Sequence, residues 1–275
     1  MKMISDVSFW DKRRGKIFSK KGGWKVGEAV YCNGYSMMDD LVGKVSYMQL
    51  IILNAIGRLP EKAFADWVEA AYMCMSYPDS RIWCNQIGAL AGNIKTSPVA
   101  ATCAGTMAMD SYAYGAKTLL QGVDFIQRAL IAQSSGNSVA EIIRGSGRFR
   151  HGKPQIMGYS RPIANGDERI EAMERVRKSL GYPQDKHLTL AFQIESYLLE
   201  NYDERMNLNG YMSAFLSDHG LSAREVYRIF STFVASGVTA CYVDTDDKAP
   251  DSYFPLHCTD ITYEGRLNRS VPEKI

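Results

Sequence analysis

Four histidines and two basic runs carry the side chains whose chemistry is available near neutral pH: His151, His187, His219 and His257 can each serve as acid, base or metal ligand. His151 lies in Arg148-Phe149-Arg150-His151-Gly152-Lys153, where it can approach a phosphate, although a solvated loop explains the run equally well. His187 falls on a helical pattern and is expected to face solvent, while His219, in Asp218-His219-Gly220, reads as a turn residue. No pair has metal-ligand spacing, so no metal is expected. The cysteines Cys32, Cys74, Cys84, Cys103, Cys241 and Cys258 form no CxxC pair, which points to neither zinc nor a disulfide framework and suits a reducing cytoplasm. Gly145-Ser146-Gly147 alone is too little for a nucleotide loop. The second basic run, Lys12-Arg13-Arg14-Gly15-Lys16 with Lys20-Lys21, reads as a solvated arm, because no zinc-finger spacing or RNA-binding aromatic signature accompanies it; no nucleic-acid partner is expected.

The elements that must position these groups are helical. Leu41, Val42, Val45, Met48, Ile51, Ile52 and Ala55 recur at three- and four-residue steps, predicting a buried helix from Asp39 to Ile56 that Gly57 and Pro60 end. A second helix is expected over Glu61 to Tyr77, with Phe64, Trp67, Val68 and Ala71 on one side. The small residues Gly88-Ala89-Leu90-Ala91-Gly92 imply closely packed helices, and Ser97 to Ala132 reads as two helices whose register Gly115 and Gly122 break. Gly, Ser, Arg and Pro make Ser134 to Asp167 a long irregular loop, a kind of segment that is usually functional or mobile. Helices return at Glu168 to Leu180 and Lys186 to Leu199, and as a pair over Gly210 to Val243. Period-two alternation is nearly missing, so the fold class is all-α.

Composition sets outer bounds only. A 275-residue chain with 46% hydrophobic and 23% charged residues and a formal charge of +2 belongs to the ordinary globular class. Its longest apolar stretch, Tyr47 to Ile56, is too short to cross a bilayer, and its first residues lack the pattern of a secretory signal, so no membrane partner is expected.

Four short motifs in order then resemble the citrate synthase superfamily in its short, citryl-CoA lyase form. Asn33-Gly34-Tyr35-Ser36 through Leu41, with Gly57-Arg58-Leu59-Pro60, is similar to that family's RGYxxxxL and GxLP; Tyr263-Glu264-Gly265 through Arg269 and Pro272 is similar to its closing YxGxxxRxxxP. Met157-Gly158-Tyr159-Ser160-Arg161-Pro162-Ile163 with Asp167-Glu168-Arg169 resembles the PGFGHPIY…DPR loop, and Asn207-Leu208-Asn209-Gly210-Tyr211 resembles NVDxY. The resemblance implies an all-α fold with a large helical domain, residues 1–116 and 223–275, and a smaller helical domain, 117–222, with a ligand cleft between them and a homodimeric assembly.

At the positions that carry the family's chemistry the residue types have changed. Tyr114 aligns with the histidine that polarises the acetyl carbonyl, Arg161 with the histidine acting on the keto substrate, and Asn209 with the aspartate base. Ser80, after Asp79, takes a further histidine position; Arg169 is retained, two other arginine positions fall near Val234 and Cys258, and Arg269 matches the closing motif. Gly158, Tyr159 and Ser160 lie where the family's loop meets coenzyme A. Asn209 cannot accept a carbon-bound proton, so a replacement base is required, for which Asp79, Asp110 and Tyr114 are candidates. Asparagine, tyrosine and arginine still orient, donate and clamp. Each also has a plain structural role: Tyr114 as a core or interface residue, Arg161 as a loop brace, Asn209 as a helix cap. The resemblance thus implies an enzyme that makes or breaks a carbon–carbon bond, or transfers an acyl group, with a CoA thioester and a substrate less acidic than citrate. The alternative is a catalytically silent homologue that binds a CoA ester or serves an active partner subunit.

Overall fold

A computed structural model describes residues 7–112, 114–146, 149–161 and 165–271. In chain order the elements are α1 (Ser8–Asp11), β1 (Gly22–Lys25), β2 (Ala29–Cys32), β3 (Tyr35–Ser36), α2 (Tyr47–Ile56), α3 (Lys62–Met75), α4 (Trp83–Asn93), α5 (Pro98–Met109), α6 (Ala116–Ser134), α7 (Val139–Gly145), β4 (Phe149–Arg150), β5 (Lys153–Pro154), α8 (Glu168–Ser179), α9 (Lys186–Tyr202), α10 (Leu208–Asp218), α11 (Ala223–Ile229) and α12 (Ala235–Asp246). The protein is mainly α-helical, as its patterning predicts. Its chain divides into two compact units, residues 1–77 with 109–234, and 78–108 with 235–275. Both ends of the expected 117–222 segment fall inside the first unit.

In the first unit the core follows from the helical stripes. Trp67 of α3 is fully buried and stacks on Phe215 of α10 with ring centroids 3.8 Å apart, and Tyr211, Phe230, Ile52 and Leu53 are equally buried. Local signals set the helix starts: Ser46 and Gln49 form a capping box at α2, and Ser138 with Glu141 and Ser222 with Glu225 do the same at α7 and α11. The second unit packs α4 against α12 through small residues. A Cβ at Gly88 would lie 2.5 Å from the Val238 carbonyl oxygen, and one at Gly92 would lie 2.3 Å from that of Tyr242, so the close approach read from Gly88-Ala89-Leu90-Ala91-Gly92 is present.

Several expectations are corrected. The helix predicted from Asp39 begins only at Tyr47, after a single wide turn over Met37–Leu41, because Gly43 adopts a positive φ and Ser46 caps the new start. Gly122 does not interrupt α6; the missing Cβ makes room for α10. The long loop contains α7, whose Ser138/Glu141 box starts a helix too short to show a stripe. Three helices, not two, fill Gly210 to Val243 and its flanks. The order β1-β2-β3 makes a small antiparallel sheet, with Trp24 opposite Val30, in strands of four and two residues that are too brief for alternation to register. His187 is mostly buried, its Nδ1 2.8 Å from Asp218, whose carboxylate also accepts the His187 and Leu188 N–H groups at the start of α9. His219 lies in the turn after α10, as expected, and its ring packs on Phe215 and Phe64.

Replacing Gly88 with alanine forces α4 away from α12 and is expected to destabilise the protein by about 1–3 kcal/mol in chemical denaturation, the usual cost of overpacking. Gly145→Ala, where nothing lies within 4 Å of the added methyl, is expected to be neutral or to stabilise by about 0.5–1 kcal/mol through helix propensity.

Candidate active site

The loop that carries Gly158 to Arg161 is fixed against the start of α10 by backbone hydrogen bonds and one asparagine side chain. Gly158 accepts a hydrogen bond from the Asn207 N–H at 3.0 Å, the Ser160 N–H donates to Arg205 at 2.7 Å, and Asn207 Nδ2 donates to the Ser160 carbonyl at 2.7 Å. Gly158 (φ +93°) and Gly210 meet face to face: a Cβ on Gly210 would sit 2.3 Å from the Gly158 oxygen. Tyr159 points inward, buried, with its hydroxyl donating to the Ala191 carbonyl at 3.1 Å. Ser160 is exposed and holds a φ of +75°.

Asp167 caps α8 and is the centre of this region. Its side chain is 0% exposed. It receives Arg169 through a two-pronged pair, Nε at 2.7 Å and Nη2 at 2.6 Å, and the Leu208 N–H at 2.8 Å; Arg161 Nη1 stands 3.7 Å away. Burial pushes the carboxyl upward, but the Arg169 hydrogen bonds and charge, the Leu208 N–H and the Arg161 charge outweigh it and hold Asp167 below the ordinary carboxylate value. Arg169, 16% exposed, reaches further to the Cys74 carbonyl at 3.5 Å, and the phenols of Tyr77 and Tyr114 lie within electrostatic range of it.

Asn209 does not cap α10, since Asn207 does that by accepting from the Asn209 and Gly210 N–H groups. The Asn209 amide instead bridges two helices. Its oxygen accepts from Ser213 at 3.0 Å, its nitrogen donates to Thr118 Oγ1 at 3.0 Å, and Thr118 in turn donates to the Gly115 carbonyl at 2.8 Å. Gly115 follows Tyr114, whose N–H donates to Ser111 Oγ at 3.1 Å. Gly122 makes the bridge possible, because a Cβ there would lie 2.4 Å from both Asn209 Oδ1 and Ser213 Oγ.

Of the residues singled out in the sequence, the first unit places Arg161 and Arg169 on Asp167, with the Tyr114 phenol within electrostatic range of Arg169, and holds Asn209 in a second set of hydrogen bonds with Thr118 and Ser213. Asp79, Ser80 and Arg269 belong to the second unit. There Asp79 forms a two-pronged pair with Arg81, whose bonds hold its pKa down, the Ser80 carbonyl accepts from Tyr253 at 3.5 Å, and Arg269 is exposed. Asp110 accepts the Tyr227 hydroxyl at 2.6 Å. Asp167 and Thr118 were not foreseen. The sequence cue for Asp167 is an aspartate immediately before an acidic first helical turn; Thr118 offers none. Among the described residues no group of three His, Cys, Asp or Glu side chains could hold a metal ion, and no helix is long and apolar enough to cross a membrane.

Asp167→Asn leaves Arg169 buried without its counter-charge and is expected to cost about 3–5 kcal/mol. The folded pKa lies below the unfolded value of about 3.9. Its stabilisation is therefore complete above that value and is lost as pH falls through the folded pKa. Melting curves recorded from neutral to acid pH should show a smaller acid-induced loss in the variant than in the unmodified protein.

Neither a family model nor a curated protein sequence matches the chain. Solved structures do. Citryl-CoA lyase from Hydrogenobacter thermophilus is similar at a TM-score of 0.76 and 22% identity, over 93% of this chain and 97% of that one. ATP citrate lyase from Methanothrix soehngenii, solved in complex with citrate and coenzyme A, is similar at a TM-score of 0.74 and 15% identity over 97% of this chain, which spans 45% of that longer one. Citrate synthase from Thermotoga maritima is similar at a TM-score of 0.61 and 16% identity, over 83% of this chain and 60% of that one. The chain shares its fold with these citryl-CoA lyase, ATP citrate lyase and citrate synthase structures.

Proposed function

We propose that this protein is an enzyme of the citrate synthase type that uses a CoA thioester and a non-standard partner substrate, forming or cleaving a carbon–carbon bond or transferring an acyl group. The observation that carries this reading is the network built on Asp167, which gathers Arg161, Arg169 and the start of α10, while the Asn209 amide ties that helix to the turn bearing Tyr114. A relic with no ligand would tolerate apolar residues at these positions, where burying polar groups carries a cost. The fold shared with citryl-CoA lyase and with an ATP citrate lyase that binds citrate and coenzyme A supports the thioester. In this reading Tyr114 donates to a developing oxyanion, Arg161 contacts the carbonyl partner and Asn209 orients the thioester. Asp79, Ser80, Arg169 and Arg269 serve the substrate, and Gly158, Tyr159 and Ser160 border the coenzyme. The smaller helical domain spans 117–222, and the protein acts as a cytoplasmic homodimer.

One observation favours a second reading, a silent homologue that binds a CoA ester as a regulatory or partner subunit. The Asn209 amide cannot take up a proton, and its oxygen and nitrogen are committed to Ser213 and Thr118. Among the nominated replacement bases, Asp79 is held in its weakly basic form by Arg81.

Acetyl- and propionyl-CoA offered with aldehydes and α-keto acids, with thiol release followed by absorbance, should show turnover, and Arg161→Ala should lower it by about tenfold or more, the scale of losing one charge-assisted contact. Thioester binding in calorimetry without turnover in any pair would favour the silent subunit. Neither binding nor turnover would overturn both readings.

A further inference from the structure

An open groove of about 340 Å³ runs beside Arg161, with Lys153, Ser160, Asn165 and Arg205 among its walls. A guanidinium with its fork open there would draw in a carboxylate ligand through two parallel N–H bonds. The fork of Arg161 is taken. Its Nη1 donates to Glu168 Oε2 at 2.6 Å and its Nη2 reaches Oε1 at 3.4 Å, with Asp167 behind at 3.7 Å. Lys153 is matched as well, by Glu204 at 2.9 Å, and the Asp203 and Glu204 carboxylates share the groove with Arg205.

We infer that Glu168 holds the anion-accepting face of Arg161, and that the groove selects an electrically neutral carbonyl compound over a carboxylate of the same shape. The inference rests on the reading of Arg161 as the contact for the carbonyl partner. Glu168 is 73% exposed and Arg161 only 12%. A ligand carbonyl can accept an N–H from the guanidinium while the Glu168 pair persists, because five donors are available. A ligand carboxylate must displace Glu168 and meets its charge on approach. Glu168 is itself exposed, and Asp167 stays beside Arg161 when Glu168 is changed, so Glu168→Gln keeps the fold.

The test is competitive binding, by saturation-transfer NMR, of 2-oxobutanoate and its neutral amide, which differ in charge and hardly in shape. The unmodified protein should favour the amide. Glu168→Gln should move the preference toward the acid by about tenfold, the scale of one hydrogen bond to a charged group, with an unchanged melting temperature. A preference for the acid in the unmodified protein, an unchanged ratio in the variant, or no binding of either compound would overturn the inference. Acetyl-CoA binding is measured in parallel by calorimetry: its failure beside an intact shift in the ratio would sink the thioester reading and leave the charge selection standing.

Discussion

A single buried carboxylate is the constraint on which the candidate site depends. Asp167 has no contact with water, so its charge persists only because Arg169 and the Leu208 N–H replace the solvent it has lost. Those partners come from different places. Arg169 lies on the first turn of α8, Leu208 begins α10, and Arg161 approaches from the loop that precedes α8. Fixing one carboxylate therefore fixes three pieces of chain, and each carries a residue that the family resemblance had marked.

Close approach of backbone completes what the ion pair begins. Gly158 against Gly210 lets the loop lie directly on the start of α10, and Gly122 lets the Asn209 amide reach Thr118 on α6. These contacts supply rigid hydrogen bonding and no acid–base group. The Asn209 amide, the Thr118 hydroxyl and the Gly115 carbonyl form a chain of hydrogen bonds between α10 and the start of α6 that contains no carboxylate to take a proton. Chemistry that removes a proton at this place therefore requires a base from elsewhere.

Much of the helical frame was legible because it is written in local pattern. The stripe from Phe64 to Ala71 and the small residues from Gly88 to Gly92 say which faces are buried and which helices come close. Short elements were not: α7 spans seven residues and the strands two to four, below the length at which a period can be counted. Gly122 was misread because a glycine that breaks a helix and a glycine that admits a neighbouring helix look alike in one dimension. The site was legible only through the family resemblance, and its organising residue was passed over as part of a motif. Asp167 acts through Leu208, 41 residues away, and no local pattern reports a contact at that separation.

Amide hydrogen exchange in Asp167→Asn, followed at Ser160, Asn207 and Leu208, tests the organising role of this carboxylate most directly. If it holds the loop and α10 as one unit, all three amides should lose protection together while the amides of α6 beyond Gly122 keep theirs. Loss confined to Leu208, or no loss at any of the three, would contradict it.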